Sequence, residues 1–316
     1  MSRKLSSVFA TAALMSSTAL ADVPNVAVDI APVHSLVARV MQDVGAPDLI
    51  IKTGASPHDY RLRPSEAKAL QDANLVIWMG KELTPWMEDA VKTLSTEAAI
   101  LTLLEKDETT LLEFRESVLF EEHDHDDHSD KEHAETEDQD HDEHAHGAHD
   151  PHAWLSPENA KIWLNLIAAQ LSTADPDNAS TYFVNAAAAM TEIDTLMADV
   201  STMLDPIRGN SFIVFHDAYQ YFETVFEFPA SGAISLGDAT DPSPARIARV
   251  QGRIQEQKIQ CVLAEPQFKK GLVVTVLEGT DAKTSIIDPL GVALEPGPAL
   301  YPQLIRNMAK TLVDCF

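Results

Sequence analysis

The sequence predicts an α/β protein made of two parallel-sheet lobes of Rossmann-like type, joined by one long rigid helix. Three observations carry this. Short apolar runs of strand type alternate with helical patterns in both halves of the chain, which implies parallel sheets with crossover connections. A long stretch with a single apolar face separates the two groups. The length of 316 residues and a hydrophobic content of 45% allow a sizeable core and argue for two domains.

The amino terminus begins with Arg3 and Lys4, continues through small and apolar residues, and reaches Ala19-Leu20-Ala21, an A-x-A cleavage signature. Residues 1–21 are therefore read as a signal peptide cleaved near Ala21, with a mature chain starting near Asp22 and exported from the cytoplasm. No later segment is apolar for the ~18 residues that a membrane span needs.

The first lobe is expected over residues 22–175. Its strand-type runs are NVAVDI (25–30), LIIK (49–52) and LVIW (75–78). In LRPSEAKALQDAN, Pro64 and Ser65 suit a first helical turn. In SPENAKIWLNLIAAQL, Ser156 is placed as N-cap and Pro157 at the first helical position. Between these helices lies a run that alternates histidine with carboxylate and lacks apolar periodicity. It is read as a disordered loop over about 118–150, because it cannot bury enough surface to order itself.

A linking helix is expected over 176–205. Phe183, Ala186, Met190, Ile193, Met197, Val200 and Leu204 recur at spacings of three and four. At 1.5 Å per residue the rod is roughly 40 Å long. A coiled-coil seam would carry paired flanking charges, and this alanine-rich stripe has none, so it is expected to pack on its own lobes in a monomer.

The second lobe, 206–316, contains FIVF (212–215), CVLA (261–264) and TSII (284–287). Its Cys261 and Cys315 suit an oxidising compartment. A bridge between them would close a loop of about 55 residues, worth roughly 4 kcal/mol by chain entropy. Two buried free thiols are the other reading.

The formal charge is −26, of which residues 121–150 contribute 14 carboxylates against one lysine. Both this window and the remainder are acidic, which excludes nucleic acid and anionic membrane as natural partners.

Of 12 histidines, eight fall in the acidic run: His123, His125, His128, His133, His141, His144, His146 and His149. Four remain. His58 lies in a turn after a strand, His216 directly follows FIVF, His34 follows the first strand, and His152 starts a helix at the end of the loop. Asp288 and Glu265 also follow strands. Ligands of parallel α/β sheets bind beyond the carboxyl ends of strands, so these positions converge on a candidate site between the lobes. Three imidazoles and a carboxylate suit tetrahedral zinc, whereas calcium and magnesium require oxygen ligands.

The motifs GASPHDYRLRPSEAKALQDANLVIWMG, HAWLSPENA, FHDAYQYF, CVLAEPQF and IIDPLG resemble, in order and spacing, the substrate-binding components of ATP-driven zinc and manganese importers, most closely the zinc-uptake (ZnuA-like) branch. The resemblance covers nearly the whole mature chain. It implies a non-enzymatic periplasmic protein with the metal site in the interlobe cleft, zinc as cargo and a membrane permease as partner. It also implies metal ligation by His58, His152 and His216. Manganese-type members carry a carboxylate at the third of these positions, so His216 argues for zinc. The fourth ligand is Asp288 or water; Pro57 stands where some members have a glutamate ligand, and His34 is a reserve. Glu265 is read as structural or as a partner that orients a ligand. The family also implies the Cys261–Cys315 pair, the linking helix and an auxiliary histidine-rich zinc collector.

Two other readings compete. A zinc hydrolase shares the three-ligand pattern, although no H-E-x-x-H motif is present. A periplasmic zinc store or chaperone would bind mainly through the loop, and would lose most of its function on deletion of residues 121–149. Binding to imidazoles should in any case weaken as pH falls through their ordinary value of about 6.5.

Overall fold

A computed structural model describes residues 23–115, 117, 119–120, 149–235, 237, 242–267 and 270–316. The expected signal peptide and the loop histidines His123, His125, His128, His133, His141, His144 and His146 lie outside the described residues. No helix among the described residues is long and apolar enough to cross a membrane.

The first sheet contains β1 (Val26–Val28), β2 (Asp48–Leu49), β3 (Leu75–Trp78) and β4 (Ala99–Thr102), all parallel, in the order β2-β1-β3-β4. Helices α1 (Ala31–Val40), α2 (Pro64–Asp72) and α3 (Pro85–Leu94) make the crossovers. The second sheet repeats the winding with β5 (Phe212–His216), β6 (Ala233–Ser235), β7 (Cys261–Ala264) and β8 (Lys283–Ile286), in the order β6-β5-β7-β8. Here α6 (Gln220–Phe226), α7 (Pro244–Glu256) and α8 (Lys270–Leu277) connect the strands. In each sheet the winding reverses next to the first strand, which places a topological switch point beside β1 and beside β5.

Sequence patterning finds six of these strands and misses β4 and β6. Length does not set them apart, since β1, like β6, is three residues long and β2 only two. The apolar run at 49–52 continues the ladder beyond β2: Ile50 N donates to Val28 O and Ile51 N to Asp29 O, both at 2.9 Å.

Between the sheets run α4 (Pro157–Ala174) and α5 (Ala179–Leu204). The Ser156 side chain caps α4 by accepting from Asn159 N at 3.1 Å, with Pro157 in the first turn. The linking helix starts with a 3-10 turn, Pro176–Asn178, before α5 proper. Its buried face is Tyr182, Ala186, Ala189, Ile193, Leu196, Val200 and Leu204. This corrects the predicted stripe: Phe183 is 47% exposed, and Met190 and Met197 pack only at the margin. Both stripes have helical period and share Ala186, Ile193, Val200 and Leu204; the other three positions move back by one residue. The choice depends on which side α4 and α9 (Leu300–Cys315) cover.

One continuous core runs from Val26 through α4 and α5 to Cys315. Helix α9 packs on α1 and α5 as well as on β8, so the end of the chain returns across both sheets. Cys261 and Cys315 form a disulfide, with Cα atoms 5.8 Å apart, that ties the first residue of β7 to the last residue of α9.

Asp29 occupies the switch point of the first sheet. It is fully buried, and its two carboxyl oxygens accept from Ile30 N and Met79 N, both at 2.7 Å. Burial pushes its pKa up to about 7, against the lowering effect of those amides. A folded-state value above the unfolded one contributes stability at low pH that is lost as pH rises through about 7. The stability advantage of wild type over Asp29→Asn should therefore narrow between pH 5 and pH 8 in denaturant titrations. An advantage that stays constant would show that Asp29 does not titrate in this range.

Candidate metal centre

The second sheet's switch point supplies the first ligand candidate. The register that pairs Val214 with Leu263 sets His216, the last residue of β5, beside Glu265, which follows β7. The His216 ring Nδ1 and Glu265 Oε1 are 2.6 Å apart, and both side chains are buried. With Nδ1–H donating to the carboxylate, Nε2 is the ring nitrogen that offers its lone pair to the cleft.

His152 is built the same way from the other side. It precedes the 3-10 turn Ala153–Leu155, and its ring Nδ1 lies 2.6 Å from Asp150 Oδ1, which also accepts from His152 N at 2.9 Å. The Asp150 carbonyl accepts from Tyr221 Oη at 2.8 Å, which attaches this segment to α6. Asp150 and its role are not anticipated by the sequence reading. The signal was present as a carboxylate two residues before a histidine in HDPHAW.

His58 is carried on the irregular loop between β2 and α2 and is half-buried. Trp86 Nε1 donates to the carbonyl of Pro57 at 2.8 Å, and the Tyr60 ring packs against Trp86 with centroids 5.6 Å apart. Buried Glu66 accepts from Tyr60 Oη at 2.9 Å and from Arg63 N at 2.8 Å, which joins the loop to the first turn of α2.

The ligand atoms of His58, His152 and His216 all lie within 4.8 Å of one another, as a group of three among the described residues. Nε2 of His152 and Nε2 of His216 are 3.4 Å apart. Two nitrogens at about 2.0–2.1 Å from a tetrahedral zinc would stand about 3.3–3.4 Å apart, so this pair already has the spacing of one tetrahedral edge. The cavity at the three rings is bounded by Ser56, Pro57, Trp154, Gln267, Pro289 and Leu290, and its volume of about 20 Å³ admits one water-sized body. Such a space fits a single ion and is far below the ~300 Å³ or more that organic ligands occupy.

The other two predicted candidates lie outside the group. Asp288 Oδ1 accepts from Leu290 N at 3.1 Å and Gly291 N at 2.9 Å, so the carboxylate folds back on its own loop. Burial raises its pKa, and the loop amides oppose this. The loop it holds presents Pro289, whose carbonyl accepts from Trp154 Nε1 at 2.9 Å, and Leu290 as cavity wall. His34 is buried on α1 with Nε2 3.0 Å from the carbonyl of Pro47, and burial lowers its pKa. His149 pairs through its backbone with Glu113 and is not in the group.

Comparisons with known proteins identify the chain's relatives. The family model described as zinc-uptake complex component A, periplasmic, matches residues 26–315. The high-affinity zinc uptake system protein ZnuA of Paracoccus denitrificans is 47% identical over 317 residues, covering 98% of this chain and 96% of that protein. The protein of the same name from Brucella abortus is 43% identical, covering 92% of this chain and 91% of its own. A crystal structure of ZnuA superposes with a TM-score of 0.74 at 20% identity, over 93% of this chain and 99% of that one, a likeness of fold.

Proposed function

The chain belongs to the ZnuA family of periplasmic zinc-uptake components, solute-binding proteins and not enzymes, and from that premise we propose that it captures Zn2+ in the periplasm and delivers it to the permease of an ATP-driven importer. One observation carries the reading at the site: three imidazole ligand atoms within 4.8 Å of one another, contributed by both lobes around a cavity of one-ion size.

His58, His152 and His216 bind the cargo, and a water completes the tetrahedron on the side of Pro289 and Leu290. Asp288 keeps its backbone partners and shapes that wall. Imidazole chemistry favours zinc and other late divalent ions over calcium and magnesium. Asp150 and Glu265 hold the two buried rings with Nε2 inward, so binding needs little reorientation. The lobes, taken as 22–175 and 206–316 and joined through 176–205, share one core, so the change between free and loaded forms is small. The protein acts as a monomer. The histidine-rich stretch serves as an auxiliary collector; its composition supports this, since histidine-rich tracts bind metal by composition.

Zinc K-edge X-ray absorption on the loaded protein lacking residues 121–148 tests the site. Three imidazole nitrogens at about 2.0–2.1 Å and one oxygen are expected. A carboxylate-rich shell with a single imidazole would reject the assignment. Outer partners are tested by Glu265→Gln and Asp150→Asn, each expected to weaken zinc binding by about 10-fold or more in chelator competition. Unchanged affinity in both would mean that the rings need no orientation.

A further inference from the structure

The charged cluster behind the two buried histidines has a member that metal binding does not account for. Arg115 stands on the stretch after β4, in the first lobe, and is mostly buried. Its Nη2 donates to Glu223 Oε2 at 3.0 Å and lies 3.3 Å from Asp217 Oδ1. Its guanidinium carbon lies 3.7 Å above the centroid of the Phe120 ring. Glu223 is on α6, and Asp217 directly follows the ligand candidate His216, so both carboxyl groups belong to the second lobe. Nearby, Leu112 N donates to Tyr221 Oη at 3.0 Å, and that hydroxyl donates to the carbonyl of Asp150, two residues before His152.

From this arrangement we propose that Arg115 is a positioning residue, a clasp across the cleft that holds the backbone of His216 and His152 at metal-binding separation and so sets how long zinc is retained. Two buried carboxyl groups of one lobe are held by one cation of the other, in a place where water screens little. Truncating one partner of a buried charge pair acts mainly on dissociation, because encounter does not require the pair. The clasp rests on His58, His152 and His216 being the zinc site, and extends it to a residue that touches no metal.

The test compares zinc release, by stopped-flow transfer to a chelator, from wild type, Arg115→Lys and the charge-neutral triple Arg115→Met/Asp217→Asn/Glu223→Gln. The triple leaves no buried charge unpaired, so it should fold where a single truncation fails. The triple is expected to release zinc about 10-fold faster with little change in association rate. Arg115→Lys, with a point charge in place of the fork, should fall between the triple and wild type. A triple whose release rate stays within twofold of wild type overturns the clasp, whatever its melting temperature. If the triple does not fold, Arg115→Lys decides, and a rate within twofold of wild type again overturns the proposal. Failure of the site assignment itself looks different: wild type would then hold no tight zinc that His216→Ala removes.

Discussion

Removal of residues 121–148 is expected to leave one tightly bound zinc per molecule, and adding His58→Ala and His216→Ala is expected to abolish it. The deletion stops at 148 because His149 pairs with Glu113 and Asp150 N donates to Leu112 O, contacts that hold the frame of His152. The reason for expecting retained affinity is preorganisation. His152 and His216 already face each other at 3.4 Å, each oriented by a carboxylate, so the ordering entropy was met when the chain folded. The acidic run has more histidines, but its composition alone gives no preformed cage. Replacing an outer partner of a metal ligand costs about 10–100-fold, and losing two ligands should cost more than about 10³-fold. The measurement is zinc stoichiometry and affinity by chelator competition. A deletion that loses all tight zinc would make the protein a histidine-loop store, and tight zinc in the double variant would move the site elsewhere.

The largest expected effect on stability comes from Cys261→Ala/Cys315→Ala. The bridge closes a span of 54 residues, and its loss should lower the unfolding free energy by about 4 kcal/mol through the freed unfolded chain. For a chain of this size that corresponds to a fall in melting temperature of about 6 °C. Both sulfurs are buried, so alanine leaves apolar packing in place. Zinc affinity should change little, since neither cysteine touches the histidine group. The connection between them is indirect: α9 carries Tyr301, whose hydroxyl donates to the carbonyl of Trp154 and whose N donates to Ser35 Oγ, both at 2.9 Å. A fall of only one or two degrees in thermal unfolding would show that Leu304, Ile305, Met308 and Leu312 hold α9 without the bridge.

Much of the architecture depends on short-range rules and was legible for that reason. The apolar runs at 75–78, 212–215 and 261–264 are strands, Ser156 and Pro157 start α4, and the long amphipathic stretch is α5. Period, cap and proline act within a turn or a ladder step, and a linear reading detects them. The weak points are also local in origin. Strands β4 and β6 escaped the reading, and three of the seven positions in the α5 stripe are off by one residue, because periodicity specifies a face only to within the side that neighbours cover.

The site divides along the same line. Residue chemistry alone gives imidazole ligands, a late divalent cation and positions beyond strand ends. Which side chains meet is a property of the assembled sheets, since His58, His152 and His216 are distant in sequence and are joined by crossovers whose register no local signal encodes. Asp288 follows a strand as well, yet its carboxylate is taken by amides two and three residues on. His34 also follows a strand, and packing leaves its ring against Pro47. Glu265 and Arg115 acquire their roles through contacts of 2.6 to 3.3 Å with residues that folding brings beside them, whereas Asp150 acts on a histidine two residues away. Composition thus decides what kind of ion this chain can hold, and tertiary structure decides where, because a coordination shell is set to tenths of an ångström and a sequence pattern only to a turn or a strand.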